Sequence, residues 1–257
     1  MSDSGVAARL STAGYRTRRV LQVGTQRRSY DLFVEAKQII DTAPIGEIRL
    51  VNSWWLNHQR GLRQAELKGK LDWEQWLGPA AKRELDPNRF FNWYYFWDYS
   101  GGLMVGQAAH VVDAIHWFMN SKYPVAVTCA AGRTNLTGAE VSETTCMCIE
   151  YPENYLAVFT VGYKAMRYAL TNDQLKQFHG SKARFDVGRE GYALYPEQSD
   201  ALDMKPTLEK RRPGSFGPAT LAHIRNFMAC VRSREDPTAT VEMGHYTSVV
   251  LAMALDS

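Results

Sequence analysis

Strand-like and helix-like sequence are segregated along this chain, and that order narrows what it can fold into more than any single motif. Apolar residues alternate with outward ones near 124–132, 143–151 and 154–163, the period of a half-buried strand. Tyr151-Pro152-Glu153-Asn154 joins the last two with a good hairpin turn. A further hairpin is expected over 177–196. Helical spacing dominates the flanks. Tyr30, Phe33, Ala36 and Ile40 share a face over 30–42, which Pro44 ends. Residues 102–120 are almost wholly apolar, and Leu221, Ile224, Met228 and Val231 mark a face of a helix over 218–233. A last helix covers 243–255. Strands gathered in the middle with helices outside predict an α+β fold: a large open mixed or antiparallel sheet with helices packed on one face. Two further strands are expected, a short buried one at Val20–Gly24 and one at 47–57, with Ile48, Leu50, Trp54 and Leu56 inward.

Composition removes several classes. The chain has 257 residues, enough to bury a substantial core. Thirty Lys and Arg against 27 Asp and Glu leave a net charge of only +3. The densest basic group, Arg16, Arg18 and Arg19, makes no stripe, which argues against a nucleic-acid partner. No apolar run approaches the roughly 20 residues of a membrane-spanning helix. The first twenty residues lack the apolar stretch of a secretion signal. Residues 1–19 are small, polar and basic, and are expected to be poorly anchored. The four cysteines make no disulfide framework. Cys146 and Cys148 share one strand face without a second pair to complete a zinc site, and are expected to be buried thiols. The chain is read as cytoplasmic.

Two segments carry candidate chemistry. Residues 58–100 are long and loop-like, and 90–99 hold eight aromatics in ten positions. Such faces stack on sugar C–H groups, but a core or dimer interface is aromatic-rich as well. Trp97, Asp98 and Tyr99 directly precede the apolar helix and are the better pocket candidates. Trp54 and Trp55, on a strand, are assigned to an interface. Within the helix, His110 has Asp113 about one turn on. Taken alone, it reads as a core histidine. A metal site of His110, Asp113 and His116 fails on angle, because His116 lies about 120° around the helix from His110. No G-x-G-x-x-G fingerprint, P-loop, H-E-x-x-H or G-x-S-x-G occurs.

In order and spacing, the chain resembles the C-terminal part of the Gfo/Idh/MocA family of NAD(P)-dependent sugar and polyol oxidoreductases. Leu21-Gln22-Val23-Gly24-Thr25-Gln26-Arg27-Arg28 is similar to the family's last nucleotide-domain strand and crossover. Glu35-Ala36-Lys37 and Ile45-Gly46-Glu47-Ile48 resemble the helix and strand start that follow. Leu71-Asp72-Trp73-Glu74-Gln75-Trp76-Leu77-Gly78 and then Phe90 to Gly102 resemble the loop entering its catalytic helix. His223-Ile224-Arg225-Asn226-Phe227 with Cys230-Val231-Arg232-Ser233 resembles its late helix.

The resemblance implies residues 1–28 as the end of an otherwise missing nucleotide-binding domain. It implies 29–257 as a substrate and oligomerisation domain, whose open sheet makes a homo-oligomer. It also implies NAD or NADP in the full-length enzyme, with none bound by this chain alone, and a sugar-like substrate. His110 matches the catalytic histidine. Gln26 falls at the cofactor side of the crossover, and Arg27 and Arg28 at its substrate side, with Trp97, Asp98 and Tyr99 as further substrate contacts. Two departures stand out. The D-x-x-x-H aspartate is replaced by Gly106, with Gln107 on a different face. The E-K-P lysine has no counterpart, since residues 1–19 contain no lysine and Lys205-Pro206 lies far downstream. The final helix stops at Ser257 without the family's closing segment. The alternative is a non-catalytic dimerising or carbohydrate-binding module derived from that family.

Overall fold

Strand β1 (Ile48–Leu56) is the first in sequence but sits in the middle of the sheet. The computed structural model describes residues 19–59, 61–170, 172–197, 204–214 and 217–257, with 9, 12, 14, 16 and 17. The remaining residues of 1–19, expected to be poorly anchored, lie outside the described residues.

The other strands are β2 (Ala126–Ala131), β3 (Thr144–Tyr151), β4 (Tyr155–Gly162), β5 (Lys176–Gly180), β6 (Ala183–Val187), β7 (Gly191–Pro196) and β8 (Leu208–Arg211). They form one eight-stranded sheet in the order β2-β3-β4-β1-β5-β6-β7-β8. Among the described residues only the β1–β4 pair is parallel, with Val51 opposite Ala157. The helices are α1 (Asp31–Thr42), α2 (Trp73–Leu77), α3 (Pro87–Asn92), α4 (Gly102–Met119), α5 (Gly217–Ser233) and α6 (Val241–Asp256). The expected α+β sheet with helices on one face is what forms. The stretch 177–196 makes three strands rather than one hairpin, and the turn at 151–154 closes on Asn154 at φ 65°.

The core lies between the sheet and helices α1, α4 and α6. Leu32, Phe33 and Ala36 of α1, Ala108, Val111 and Ile115 of α4, and Val250 of α6 pack under Val51, Met147, Ile149, Phe159, Phe178 and Phe185. Each large apolar side chain buried there contributes about 1.5–3 kcal/mol. The β1 entry is fixed by backbone contact. Gly46 takes φ +82°, and any side chain on Gly180 would collide with Ile45, so the two glycines let the segments cross.

Four expectations are corrected. In β1 the buried side is Val51 and Ser53, not Leu50 and Trp54. A central strand is apolar on both faces, and Ser53 fits inside because its hydroxyl donates to Val158 O at 2.7 Å. The same alternation puts Met147 and Ile149 inside, leaving Cys148 half-buried and Cys146 exposed on the open face. Val20–Gly24 forms no strand, because it lies against helices. Val23 N donates to Ala239 O, Gln22 to His223 O, and the His223 ring joins Val23 O at 2.8 Å and the Ser29 hydroxyl at 2.7 Å. The marked face of α5 also turns outward, with Leu221, Ile224 and Met228 all exposed.

Candidate functional site

Helix α4 runs beneath the sheet, with His110 near its middle. Its right-handed course ends where Asn120 adopts the left-handed φ of 55°. On the last two turns, Asp113 receives Arg28 Nε on both carboxylate oxygens, at 2.9 and 3.0 Å. His116 Nε2 meets Tyr151 Oη at 2.8 Å. Burial, and then Arg28, push His116 down to about 3.

Around His110 the wall is different. The ring of Trp55, from the inner face of β1, lies 6.4 Å from the His110 ring and 5.3 Å from the Arg27 guanidinium. Arg27 stands in the 3-10 turn Gln26–Ser29 and donates to Gln174 Oε1 at 2.8 Å. Lys176, the first residue of β5, lies opposite Ser53 of β1. Its ammonium and the Arg27 guanidinium lie 5.4 and 5.7 Å from the same Phe33 ring. Burial is the first cause that lowers His110 to about 4, followed by the charges of Arg27 and Lys176. An imidazole so placed is neutral at physiological pH and able to accept a proton.

The Gly106 position is closed. Any side chain there would collide with the Tyr94 hydroxyl, so the phenol fills the place one turn before His110. Burial pushes Tyr94 up. Gln107 leaves that face and donates to Tyr163 Oη at 2.8 Å. Burial raises that phenol to about 12.

The sequence candidates separate into two groups. Arg27 joins the His110 wall through Trp55. Arg28 goes instead to Asp113 and lies over Trp117. Gln26 stands at the turn with its Oε1 buried and without a hydrogen-bond partner among the described residues. Asp98 is held by Arg83 and Arg89, each at 2.6 Å. Trp97 is 56% exposed, and Tyr99 packs 4.7 Å from Trp76. Among the described residues no hydrogen bond or ring contact joins Trp97, Asp98 or Tyr99 to His110. Trp55, Lys176, Gln174 and Tyr94 were missed. For Trp55 and Lys176 the signal was present: two-residue alternation with Val51 and Phe178 puts both on the inner face.

These residues do not fit a dinucleotide. A pyrophosphate rests on open amides where a strand turns into a helix. Here α1 opens with Asp31, whose carboxylate caps Leu32 N. The Gly101–Gly102 pair opening α4 is covered by Val105 and Val141.

The single mixed sheet packed on helices is the fold of a C-terminal α/β domain of an oxidoreductase family. A family model described as "Oxidoreductase family, C-terminal alpha/beta domain" matches residues 37–257, and the chain belongs to this Gfo/Idh/MocA family. A search of curated proteins gave no match. Among solved structures, levoglucosan dehydrogenase in complex with NADH and levoglucosan superposes with a TM-score of 0.70 at 13% identity, covering 99% of this chain and 68% of that one. An oxidoreductase domain protein from Kribbella flavida gives 0.70 at 15%, covering 97% and 67%. Scyllo-inositol dehydrogenase from Lactobacillus casei, with bound NAD(H) and scyllo-inositol, gives 0.64 at 19%, covering 98% and 66%. At these identities the likeness establishes the fold, and the chain spans about two thirds of the length of these structures. Among the described residues no helix is long and apolar enough to cross a membrane.

Proposed function

We propose that this chain is the substrate domain of an NAD(P)-dependent sugar or polyol oxidoreductase, and that alone it binds its sugar-like ligand without turnover. His110 is the proton-transfer group. The observation that carries this reading is a half-buried imidazole set beside the Trp55 ring, held below its ordinary value by burial and the charges of Arg27 and Lys176. A flat indole face suits sugar C–H groups, and the adjacent imidazole takes the hydroxyl proton as that carbon is oxidised. Residues 1–28 are assigned to the end of the nucleotide domain, and NAD or NADP to the full-length enzyme. Arg28, Trp97, Asp98, Tyr99 and Gln26 remain candidate contacts through parts of the pocket that lie outside the His110 wall.

Saturation-transfer NMR of the 257-residue chain with levoglucosan and myo-inositol tests the reading. Transfer that drops in His110→Ala supports it, and the absence of transfer to both sugars sinks it. NADH titration with energy transfer from the seven tryptophans is expected to show no saturation. Saturable binding would mean that the chain carries its own cofactor site.

The open face of the sheet is the surface we assign to a homo-oligomer. Leu156 is exposed there, opposite Leu50, and Trp54 and Val158 stand on the same face. Loss of the dimer in Leu156→Glu, read by sedimentation, is the check. Four free cysteines suit a cytoplasmic location. The alternative of a non-catalytic sugar-binding module draws on one observation, the Tyr94 hydroxyl filling the place where the family carries its aspartate. Absence of turnover when the chain is placed behind a nucleotide domain, with sugar binding kept, would favour it.

A further inference from the structure

The Tyr94 hydroxyl and the His110 imidazole stand over one face of α4. The phenol oxygen occupies the space where a side chain on Gly106 would begin. Position 106 precedes His110 by one turn, and such neighbours lie roughly 5–6 Å apart between Cβ atoms. A helical side chain also leans back over the preceding turn, which inclines the imidazole towards that oxygen. Among the described residues, neither the Tyr94 hydroxyl nor a His110 ring nitrogen makes a hydrogen bond. Both residues are half-buried. Their polar atoms reach solvent, unlike Tyr99 Oη and His116 Nδ1, which are sealed without a partner among the described residues.

Tyr94 is also held in place. It lies in the 3-10 turn Trp93–Tyr95, edge-on to both neighbouring rings at 5.5 and 5.9 Å. Tyr95 O accepts Glu140 N at 2.9 Å and Val141 N at 3.3 Å. Glu140 in turn pairs with Arg89, and its other oxygen accepts Trp97 N at 3.1 Å. The long loop is therefore pinned where it carries the Tyr94 hydroxyl to the helix. Burial pushes the phenol up and the imidazole down. Near neutral pH the first is a hydrogen-bond donor and the second accepts a proton.

We propose that Tyr94 is a substrate-contact and specificity-determining residue, its hydroxyl donating to one oxygen of a vicinal diol whose neighbouring hydroxyl donates to His110. This deepens the reading of His110 and Trp55 as a sugar site and rests on it. Adjacent hydroxyl oxygens on a ring lie about one hydrogen-bond length apart. A donor on one and an acceptor on the other bracket the pair across a gap of about one helical turn. A ligand with isolated hydroxyls satisfies one of the two groups and leaves the other covered and unpaired, which costs affinity.

Calorimetric titration of the 257-residue chain with myo-inositol and two isomeric cyclohexanetriols tests this. In the vicinal isomer the hydroxyls sit on neighbouring carbons, and in phloroglucitol no two do. The vicinal isomer is expected to bind at least about fivefold tighter than phloroglucitol, the scale of one hydrogen bond. Tyr94→Phe keeps the ring and removes the hydroxyl, and is expected to close that gap. Gly106→Ala, whose Cβ displaces the hydroxyl, provides a second reading should the first variant fold poorly, with the same loss expected. Equal affinity for the two triols in the native chain overturns the diol geometry. A gap that survives both substitutions, as when a purely structural change weakens every ligand alike, overturns the role of Tyr94 while the sugar-site reading stands. Binding of none of the three ligands to the native chain overturns the sugar-site reading and this contact with it.

Discussion

The middle of helix α4 and its last two turns solve the same problem differently. From Asp113 on, the charge is matched: Arg28 lies across the carboxylate, and the Tyr151 phenol meets His116 Nε2 while stacking 4.7 Å from Tyr155, with His116 Nδ1 the one ring atom left without a hydrogen-bond partner among the described residues. Around His110 the polar groups are just as deep but incompletely matched, with Lys176 Nζ, Asp173 Oδ1 and Arg189 Nε lacking hydrogen-bond partners among the described residues. A helix built for stability alone would resemble the last two turns throughout. Local rules that are broken at one place and kept at another mark where a chain works and where it holds itself together.

The sharpest test of this contrast is Asp113→Ala. It strands a buried guanidinium and is expected to cost about 3–5 kcal/mol in urea unfolding. A loss below about 1 kcal/mol would remove the distinction between the two stretches. Acid titration separates the two histidines. Both are held below the unfolded value near 6.5, so the unfolded state binds more protons there, and stability falls as pH drops from about 6.5 towards 4. The slope approaches about 1.4 kcal/mol per pH unit for each proton taken up on unfolding. His116→Leu is expected to flatten this acid limb more than His110→Leu, because His116 is the more sealed and the more depressed. Gly106→Asp, which restores the family's aspartate, forces the Tyr94 hydroxyl out. A cost of about 1–3 kcal/mol is expected, smaller when Tyr94→Ala is present in a double-mutant cycle. Additive effects of the two changes would show that Tyr94 does not occupy that place. Tyr151→Phe, at the satisfied end, removes one hydrogen bond and is expected to cost about 1 kcal/mol.

Much of the architecture was legible because periodicity and turn chemistry are local. The 151–154 turn, the apolar α4 and the order of strands and helices follow from spacing alone. Phase was not legible in β1. Both Leu50–Trp54 and Val51–Trp55 are apolar enough to face a core, and only the sheet's neighbours decide between them. The Val20–Gly24 run has strand composition, but its backbone meets helix ends rather than a ladder. At the candidate site, the family resemblance points to His110 and Arg27. Lys176 lies one residue outside the hairpin expected over 177–196, and only the longer strand β5 turns it inward beside Phe178. The filling of Gly106 by Tyr94 depends on how a long loop returns to the helix, which no local pattern records.

The central position of β1 also dictates a timetable. Its partners begin at Tyr155 and Lys176, so it has no ladder to join until more than half of the chain has been synthesised. Hairpins β3–β4 and β5–β6 close short loops and form early, whereas β1 pays the entropy of a much longer closure. Trp55 and the Ser53–Lys176 pairing therefore belong to the last seam of the sheet to knit, and the histidine's wall is the part a stalled folding chain would lack.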